Sequence, residues 1–378
     1  MTDVLIYHDS ERSPELRHEV PHAIIDPFFY VERNGSRHIV IGSLDLPGLR
    51  EIGGFELHPT EEFGRDELVA KGLPVDGIRN EMALRICRGL GVESAVVPFW
   101  FPTQLADHLR ANGIELRPDR AFFSERRRVK SGAELEGIRR AQKAANAGMG
   151  AARDLLRQAT QNGSSLTLDG EPLTCERIKL AILQTFMEHD CTAESMIVAH
   201  GAQAAVGHDM GSGPIAPGES VVIDIWPRHT GSGCYADMTR TFVVGEPPDE
   251  VVEWHRVTLQ ALERSLAEIR AGVRGRAVFD ACCEVIEGAG YPTMRTKEQG
   301  KVLDEGFFHG LGHGVGLEVH EEPGMGLVDE HELVAGDVVT VEPGLYRQGY
   351  GGVRLEDLVI VSESGIENLT DFPYQLEP

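Results

Sequence analysis

Three β-branched runs carry an acidic residue where a buried strand should be apolar, and this constrains the fold more than any other feature. They are Val221-Val-Ile-Asp224-Ile-Trp226, Val338-Val-Thr-Val-Glu342-Pro343 and Gly352-Val-Arg-Leu-Glu356-Asp357-Leu-Val-Ile-Val361. Runs of this composition read as largely buried strands. A carboxylate inside one must be hydrogen-bonded, ion-paired or bound to a cation. One such case is ordinarily a salt bridge. Several, together with the segment His309-Gly-Leu-Gly-His313-Gly-Val-Gly-Leu-Glu-Val-His320-Glu321, point to a metal. Glycine at 310, 312, 314 and 316 costs backbone entropy in any regular element, which suggests backbone passing close to an ion or substrate. Asp237, in Tyr235-Ala-Asp-Met-Thr-Arg-Thr-Phe-Val-Val244, follows the Asp224 strand after a short polar, Gly-containing turn. The two carboxylates can then face each other across a hairpin.

Asp224, Asp237, His313, Glu342 and Glu356 stand in the order and approximate spacing of the metal ligands of the pita-bread metallopeptidases, the family of methionine aminopeptidase, aminopeptidase P and prolidase. The 309–321 segment, Thr239-Arg-Thr-Phe242, Glu342-Pro-Gly-Leu-Tyr346 and Gly352-Val-Arg-Leu-Glu-Asp357 resemble the aminopeptidase P and prolidase branch, and prolidase most of all. The likeness covers roughly residues 125–378. In one respect the chain departs from the pattern: the 226–234 turn is longer than usual and carries Trp226-Pro227 where a glycine commonly follows.

The resemblance implies an α+β catalytic domain of pita-bread (creatinase/aminopeptidase) type, with a curved antiparallel sheet backed by helices, preceded by a smaller creatinase-like α/β domain. Residues 1–125 and 126–378 are the corresponding spans. It also implies two divalent ions, with Asp237 and Glu356 bridging, Asp224 completing one and His313 with Glu342 completing the other. A ligand set of oxygen plus one imidazole suits Mn2+ first, with Co2+, Fe2+ or Zn2+ as further fits. Hydrolysis of the peptide bond before proline would follow, in dipeptides as in prolidase or in longer peptides as in aminopeptidase P. The chain's length and the lack of an extra domain favour prolidase. Glu342 would shuttle the proton, His320 would bond the attacked carbonyl region, and His208, sixteen residues before Asp224, would meet the substrate. Arg354 would face a proline carboxylate, or else neutralise Glu356 or Asp357. His309 is given a supporting or packing role and His200 none. Related scaffolds also host a metal-free creatinase, a lyase acting on sulfonium compounds and non-catalytic peptide-binding proteins, and these are the alternatives. A homodimer is the family's usual assembly.

The rest of the chain agrees. Its 378 residues suffice for two domains. A net charge of -24 disfavours nucleic acid as partner. No run approaches a membrane span, and Asp3, Asp9, Glu11 and Glu15 do not suit a signal peptide, which predicts a cytoplasmic protein without a membrane partner. The cysteines at 87, 175, 191, 234, 282 and 283 have no zinc spacing and read as reduced, mostly buried thiols.

Along the first ~125 residues, Asn34-Gly35 predicts a hairpin with a return strand at 39–41. Met82, Ile86 and Leu90 have helical spacing, Ser94–Pro98 reads as a strand, and a helix is expected over 102–111. Arg126, Arg127, Arg128 and Lys130 read as a solvated linker or domain contact. Ser131 with Glu134 predicts a capping box opening a helix to about Gln158. Then come a Gly/Ser turn at 163–165, a helix at 176–188, strands at 196–200, 219–226 and 235–244, and helices at about 248–271 and 276–288.

Overall fold

The computed structural model describes residues 2–378, and the chain divides into two compact units, Met1–Arg127 and Arg128–Pro378. The first is built on a six-stranded sheet whose order in space is Glu56–Pro59, Ser36–Ile41, Phe28–Arg33, Val4–His8, Ser94–Val97 and Glu115–Pro118. The two contacts made by Phe28–Arg33 are antiparallel and the rest parallel. Strand alternation feeds two cores. Leu5, Val31, Val40 and Val97 pack with Met82, Ile86, Leu105 and Leu109 of helices Val75–Leu90 and Thr103–Ala111. Val4, Ile6, Tyr30 and Ile39 pack with Leu16, Leu46 and Leu49 on the opposite face. Asn34 and Gly35 take φ of 51° and 85°, the left-handed pair that a two-residue hairpin requires. The return strand begins at Ser36, three residues ahead of its expected apolar start, because backbone pairing continues where the side chains turn polar.

The second unit opens with helix Gly132–Gln158, whose Ser131–Glu134 capping box is present in both directions. This helix packs on Cys175–Glu188, and Gly148 permits the close approach: a Cβ there would lie 2.7 Å from the Phe186 ring. Ala144, Met149, Ile182 and Phe186 join Val198, Val221, Ile223, Met238 and Phe242 in one core. Each fully buried phenylalanine there contributes about 1.5–3 kcal/mol. A second helix pair, Asp249–Glu268 with Gly275–Gly288, backs a second core containing Trp254, Phe279, Val339, Val341, Val353 and Val359. Three antiparallel sheets surround the candidate site, beside two smaller ones. One orders Ile197–His200, Ser220–Ile225 and Met238–Val243; a second orders Glu305–Gly306, Gly344–Arg347 and Gly351–Arg354. The third orders Glu321–Met325, Gly312–Gly314, Val338–Val341, Asp357–Val361 and Ile366–Asn368. Helices and antiparallel strands without regular alternation make this unit α+β, as expected.

Three local readings change. Residues 160–172 form a three-stranded meander, Thr160–Asn162, Ser165–Leu168 and Glu171–Pro172, rather than a bare turn; these strands are too short and polar for periodicity to show. The basic run is not a solvated linker. Arg120–Arg128 is a helix, Arg126 pairs with Glu19 and Glu32, and Arg127 and Arg128 are each 6% exposed. Arg128 binds Asp337 through two hydrogen bonds of 2.7 and 3.1 Å, and Lys130 pairs with Glu321. Their partners lie far away in sequence and leave no local signal. The glycines at 312 and 314 lie in a strand, and what passes close to them is neighbouring backbone. A Cβ would meet the Thr340 carbonyl oxygen at 2.1 Å and that of Glu322 at 2.4 Å.

All six cysteines are free and buried, and burial pushes the Cys87 thiol up to about 12. Among the described residues no helix is long and apolar enough to cross a membrane.

Candidate metal centre

Each acidic interruption is placed by its strand. Asp224 lies opposite Thr239 in the antiparallel pair Ser220–Ile225 and Met238–Val243. Asp237, two residues before Thr239, is therefore on the same face but diagonal to Asp224 rather than directly across. Its Oδ1 accepts the Met238 N–H at 3.0 Å. Glu356 occupies the break between strands Gly351–Arg354 and Asp357–Val361. Its N–H donates to the Thr239 carbonyl (3.0 Å), and its Oε2 accepts from the Thr239 hydroxyl (2.7 Å). One residue thus joins two sheets at the site. Glu342 follows Val338–Val341 and donates its N–H to Leu311 (2.8 Å), and the His313 N–H donates to the Thr340 hydroxyl (3.1 Å).

Ligand-type atoms of Asp237, His313 and Glu356 all lie within 4.8 Å of one another. His313 Nε2 is 3.5 Å from Glu342 Oε1 and 3.8 Å from Asp237 Oδ2. Burial and the neighbouring carboxylates push Asp237 and Glu356 well above the usual carboxylate range, and burial with Asp224 nearby pushes Glu342 up to about 8 despite the opposing Arg354 charge. Burial, with His320 adding to it, pulls His313 down to about 3. Its Nδ1 lies 3.1 Å from the Gly314 carbonyl, which can only accept, so the single proton of the neutral ring sits on Nδ1. Nε2 then presents a lone pair to two carboxylates. Lone pair against carboxylates is repulsive unless a proton or a cation lies between them, and a ring fixed by a backbone carbonyl on its far nitrogen is the arrangement of a metal-bound histidine. These residues fit a divalent metal.

Asp224 joins the group through Arg354, whose Nη2 is 2.5 Å from Asp224 Oδ2. Arg354 is 5% exposed, and its other contacts are the Thr239 hydroxyl (3.3 Å) and the Tyr346 hydroxyl (3.2 Å). The carboxylate it pairs with is Asp224, whereas the neutralising role read from the sequence, as the alternative to a substrate contact, was for Glu356 or Asp357. Asp357 is paired instead with Arg240, at 2.9 Å and fully buried. Tyr346 bonds in turn to His309 Nε2 (2.9 Å), whose Nδ1 faces the Gly310 carbonyl (2.7 Å). The chain His309–Tyr346–Arg354–Asp224 was not foreseen. Tyr346 and Thr239 lay inside motifs already singled out, yet neither carries a charge that would have drawn notice. His320 sets its exposed ring edge-on against His313, with centroids 4.1 Å apart. His208 is exposed and lies near enough to His309 to contribute, after burial and Arg354, to lowering that ring's basicity. His200 points elsewhere, bonding Glu219 (2.6 Å) and Ser212.

The 226–234 turn is internally tied. Arg228–His229 pairs with Cys191–Thr192, His229 and Cys234 share a backbone bond of 2.8 Å, and Tyr235 donates to the Gly316 carbonyl (2.8 Å).

A helix-backed antiparallel unit converging four carboxylates and an imidazole defines a metallopeptidase scaffold. The chain matches metallopeptidase family M24 over residues 136–363 and belongs to that family. It is 30% identical to the Xaa-Pro dipeptidase of Pyrococcus horikoshii over 76% of this chain and 74% of that one. It is 36% identical to the Xaa-Pro dipeptidase of Pyrococcus furiosus over 46% of each chain, and 34% identical to the probable dipeptidase PepE of Mycobacterium tuberculosis over 48% of each. The matches to these last two thus span about half the relative's length. Among solved structures, an Xaa-Pro dipeptidase from Bacillus anthracis superposes with a TM-score of 0.79 at 23% identity, covering 99% of this chain and 94% of that one. An X-Pro aminopeptidase from Thermotoga maritima gives 0.78 at 23% identity, covering 99% and 97%. The fold is the pita-bread architecture with an amino-terminal domain, as the sequence implied.

Proposed function

We propose that this protein hydrolyses the bond before proline in dipeptides, as a metal-dependent Xaa-Pro dipeptidase of prolidase type. The observation that carries the reading is the neutral His313 Nε2 facing Asp237 and Glu342 in a buried carboxylate cluster. The names of the Pyrococcus relatives support the substrate class. Asp224, Asp237, His313, Glu342 and Glu356 would hold two divalent ions, Mn2+ in the first place. Bound there, the metal supplies a nucleophile from water at neutral pH and polarises the scissile carbonyl. Glu342 takes the proton of the attacking water and returns it to the leaving nitrogen. The exposed His320 ring donates to the oxygen that gains charge at the attacked carbon, and His208 contacts the substrate from the exposed segment after residue 205. Arg354, paired with Asp224, brings positive charge to the site and would meet a proline carboxylate. Residues 1–125 correspond to the family's amino-terminal domain and 126–378 to its catalytic domain; the assembly is a cytoplasmic homodimer, for which the free, buried cysteines suit a reducing compartment.

The likeness to an X-Pro aminopeptidase supports a second reading, cleavage of longer peptides. Chelator-treated protein assayed on Ala-Pro, Met-Pro, Leu-Pro, Ala-Pro-Ala, Ala-Ala and creatine, with and without added Mn2+, Co2+ or Zn2+, separates the possibilities. Metal-restored cleavage of Ala-Pro is expected. Fast Ala-Pro-Ala turnover without any of Ala-Pro would establish the aminopeptidase reading, and metal binding with every substrate intact would reject both.

A further inference from the structure

A second group of metal-ligand residues lies in the amino-terminal unit. Strands Ser36–Ile41 and Glu56–Pro59 are parallel neighbours at the edge of the six-stranded sheet, with His38 opposite Glu56 and Val40 opposite His58. Alternation brings His38, Glu56 and His58 to one face. His38 Nδ1 is 3.2 Å from His58 Nε2 and 3.4 Å from Glu56 Oε2, and the three ligand atoms form a compact group. His58 Nδ1 is 2.9 Å from Glu62 Oε2.

A carboxylate can only accept, so the proton of a neutral His58 ring sits on Nδ1, and Nε2 is a lone pair turned towards His38. The ordinary reading is a single proton on His38 Nδ1 shared between two acceptors. A dication in the place of that proton would collect all three atoms at once. Donor atoms around a tetrahedral zinc, at bonds of about 2.0–2.1 Å, stand about 3.3 Å apart, close to the two separations measured from His38 Nδ1, and all three atoms lie within 4.8 Å of one another. Glu62 on the far nitrogen of His58 is the outer carboxylate that orients a metal-bound imidazole. The side chains of His38 and His58 are 12% and 20% exposed while that of Glu56 is 59% exposed, so the group is anchored on the sheet and open to solvent on one side.

We propose that His38, Glu56 and His58 form a site for zinc or a similar borderline dication, with Glu62 supporting it, and that the ion clips the edge strand Glu56–Pro59 to its neighbour. Two imidazoles and one carboxylate select such an ion over Mg2+ or Ca2+, unlike the oxygen-rich centre of the other unit. The inference does not depend on the peptidase reading.

Zn2+ binding to the full chain carrying Glu356→Gln, which disables the carboxylate centre, tests it by dialysis and calorimetry. Retention of zinc is expected, with His58→Ala in that background removing one equivalent or weakening its affinity about 100-fold, and Glu62→Gln about 10-fold. Co2+ in its place should give the visible absorption of tetrahedral coordination, lost on His38→Ala. Zinc binding unchanged by both histidine substitutions, or no zinc bound at all, would overturn the proposal. Glu62→Gln touches an exposed carboxylate and keeps the test open should an alanine variant misfold: unchanged zinc affinity and an unchanged Co2+ spectrum in that variant would also overturn it.

Discussion

Thr239 bonds Glu356 through its hydroxyl and its carbonyl, and the same hydroxyl lies within reach of Arg354. A neutral side chain thus orients one member of the acidic cluster and the guanidinium that holds another, while Asp237 and His313 face each other across the same space. Asp237→Asn is expected to abolish both bound metal and turnover, because an amide cannot supply the charge that the cation balances. His320→Ala should keep the metal and lose about 10²–10³-fold in kcat. Metal analysis alongside kinetics separates the two, and a fully active His320→Ala enzyme would remove that residue from the mechanism. The same cluster makes stability depend on pH. In metal-free protein Glu342 is pushed up to about 8, so between about pH 6.5 and 8 the folded chain keeps a proton that the unfolded chain has released. Stability must then fall as pH rises through that window. Below it, His309 and His313, both pulled to about 3, act with the opposite sign, since the unfolded imidazoles take up protons that the folded ones refuse. Thermal melts of chelated protein should show Tm declining from pH 6.5 to 8, and saturation with Mn2+ should flatten the decline. A Tm rising over that range would contradict the buried carboxylate cluster.

At the scale of elements, the glycines of 309–321 differ in what they tolerate. Gly312→Ala would drive a Cβ into the Thr340 carbonyl, which belongs to the strand that also positions Glu342, and should cost activity and several kcal/mol of stability. Gly310 has only the Met325 oxygen nearby, at 3.7 Å, and Gly310→Ala should stay within about 0.5 kcal/mol of the parent. Denaturant titration of the two variants gives the comparison, and equal losses would mean that close strand packing is not what selects glycine at 312. The long elements were legible in sequence because their signals are local: a capping box at Ser131, helical spacing at Met82 and Ile86, Asn34-Gly35 at a hairpin. The 160–172 meander and the strand at Gly312–Gly314 were not, since pairing with distant backbone overrides the weak propensity of short polar or glycine-rich segments.

For the whole molecule, ligand binding and folding are one equilibrium. A divalent ion that binds only the folded catalytic unit should raise Tm with metal concentration, following the logarithm of concentration over Kd, and chelation should reverse the gain. Differential scanning calorimetry over a Mn2+ series measures this, and a concentration-independent Tm would argue against a metal held by folded-state geometry. By itself, the sequence determined the α+β class and the acidic residues that needed a partner, because a charge in an apolar run requires one wherever the chain goes. Only the tertiary structure decided which partner. Arg354 chose Asp224, Arg128 chose Asp337, Asp237 came to lie diagonal to Asp224, and His38 met His58. Those choices depend on strand register and on contacts between segments far apart in the chain, and local composition carries no record of either.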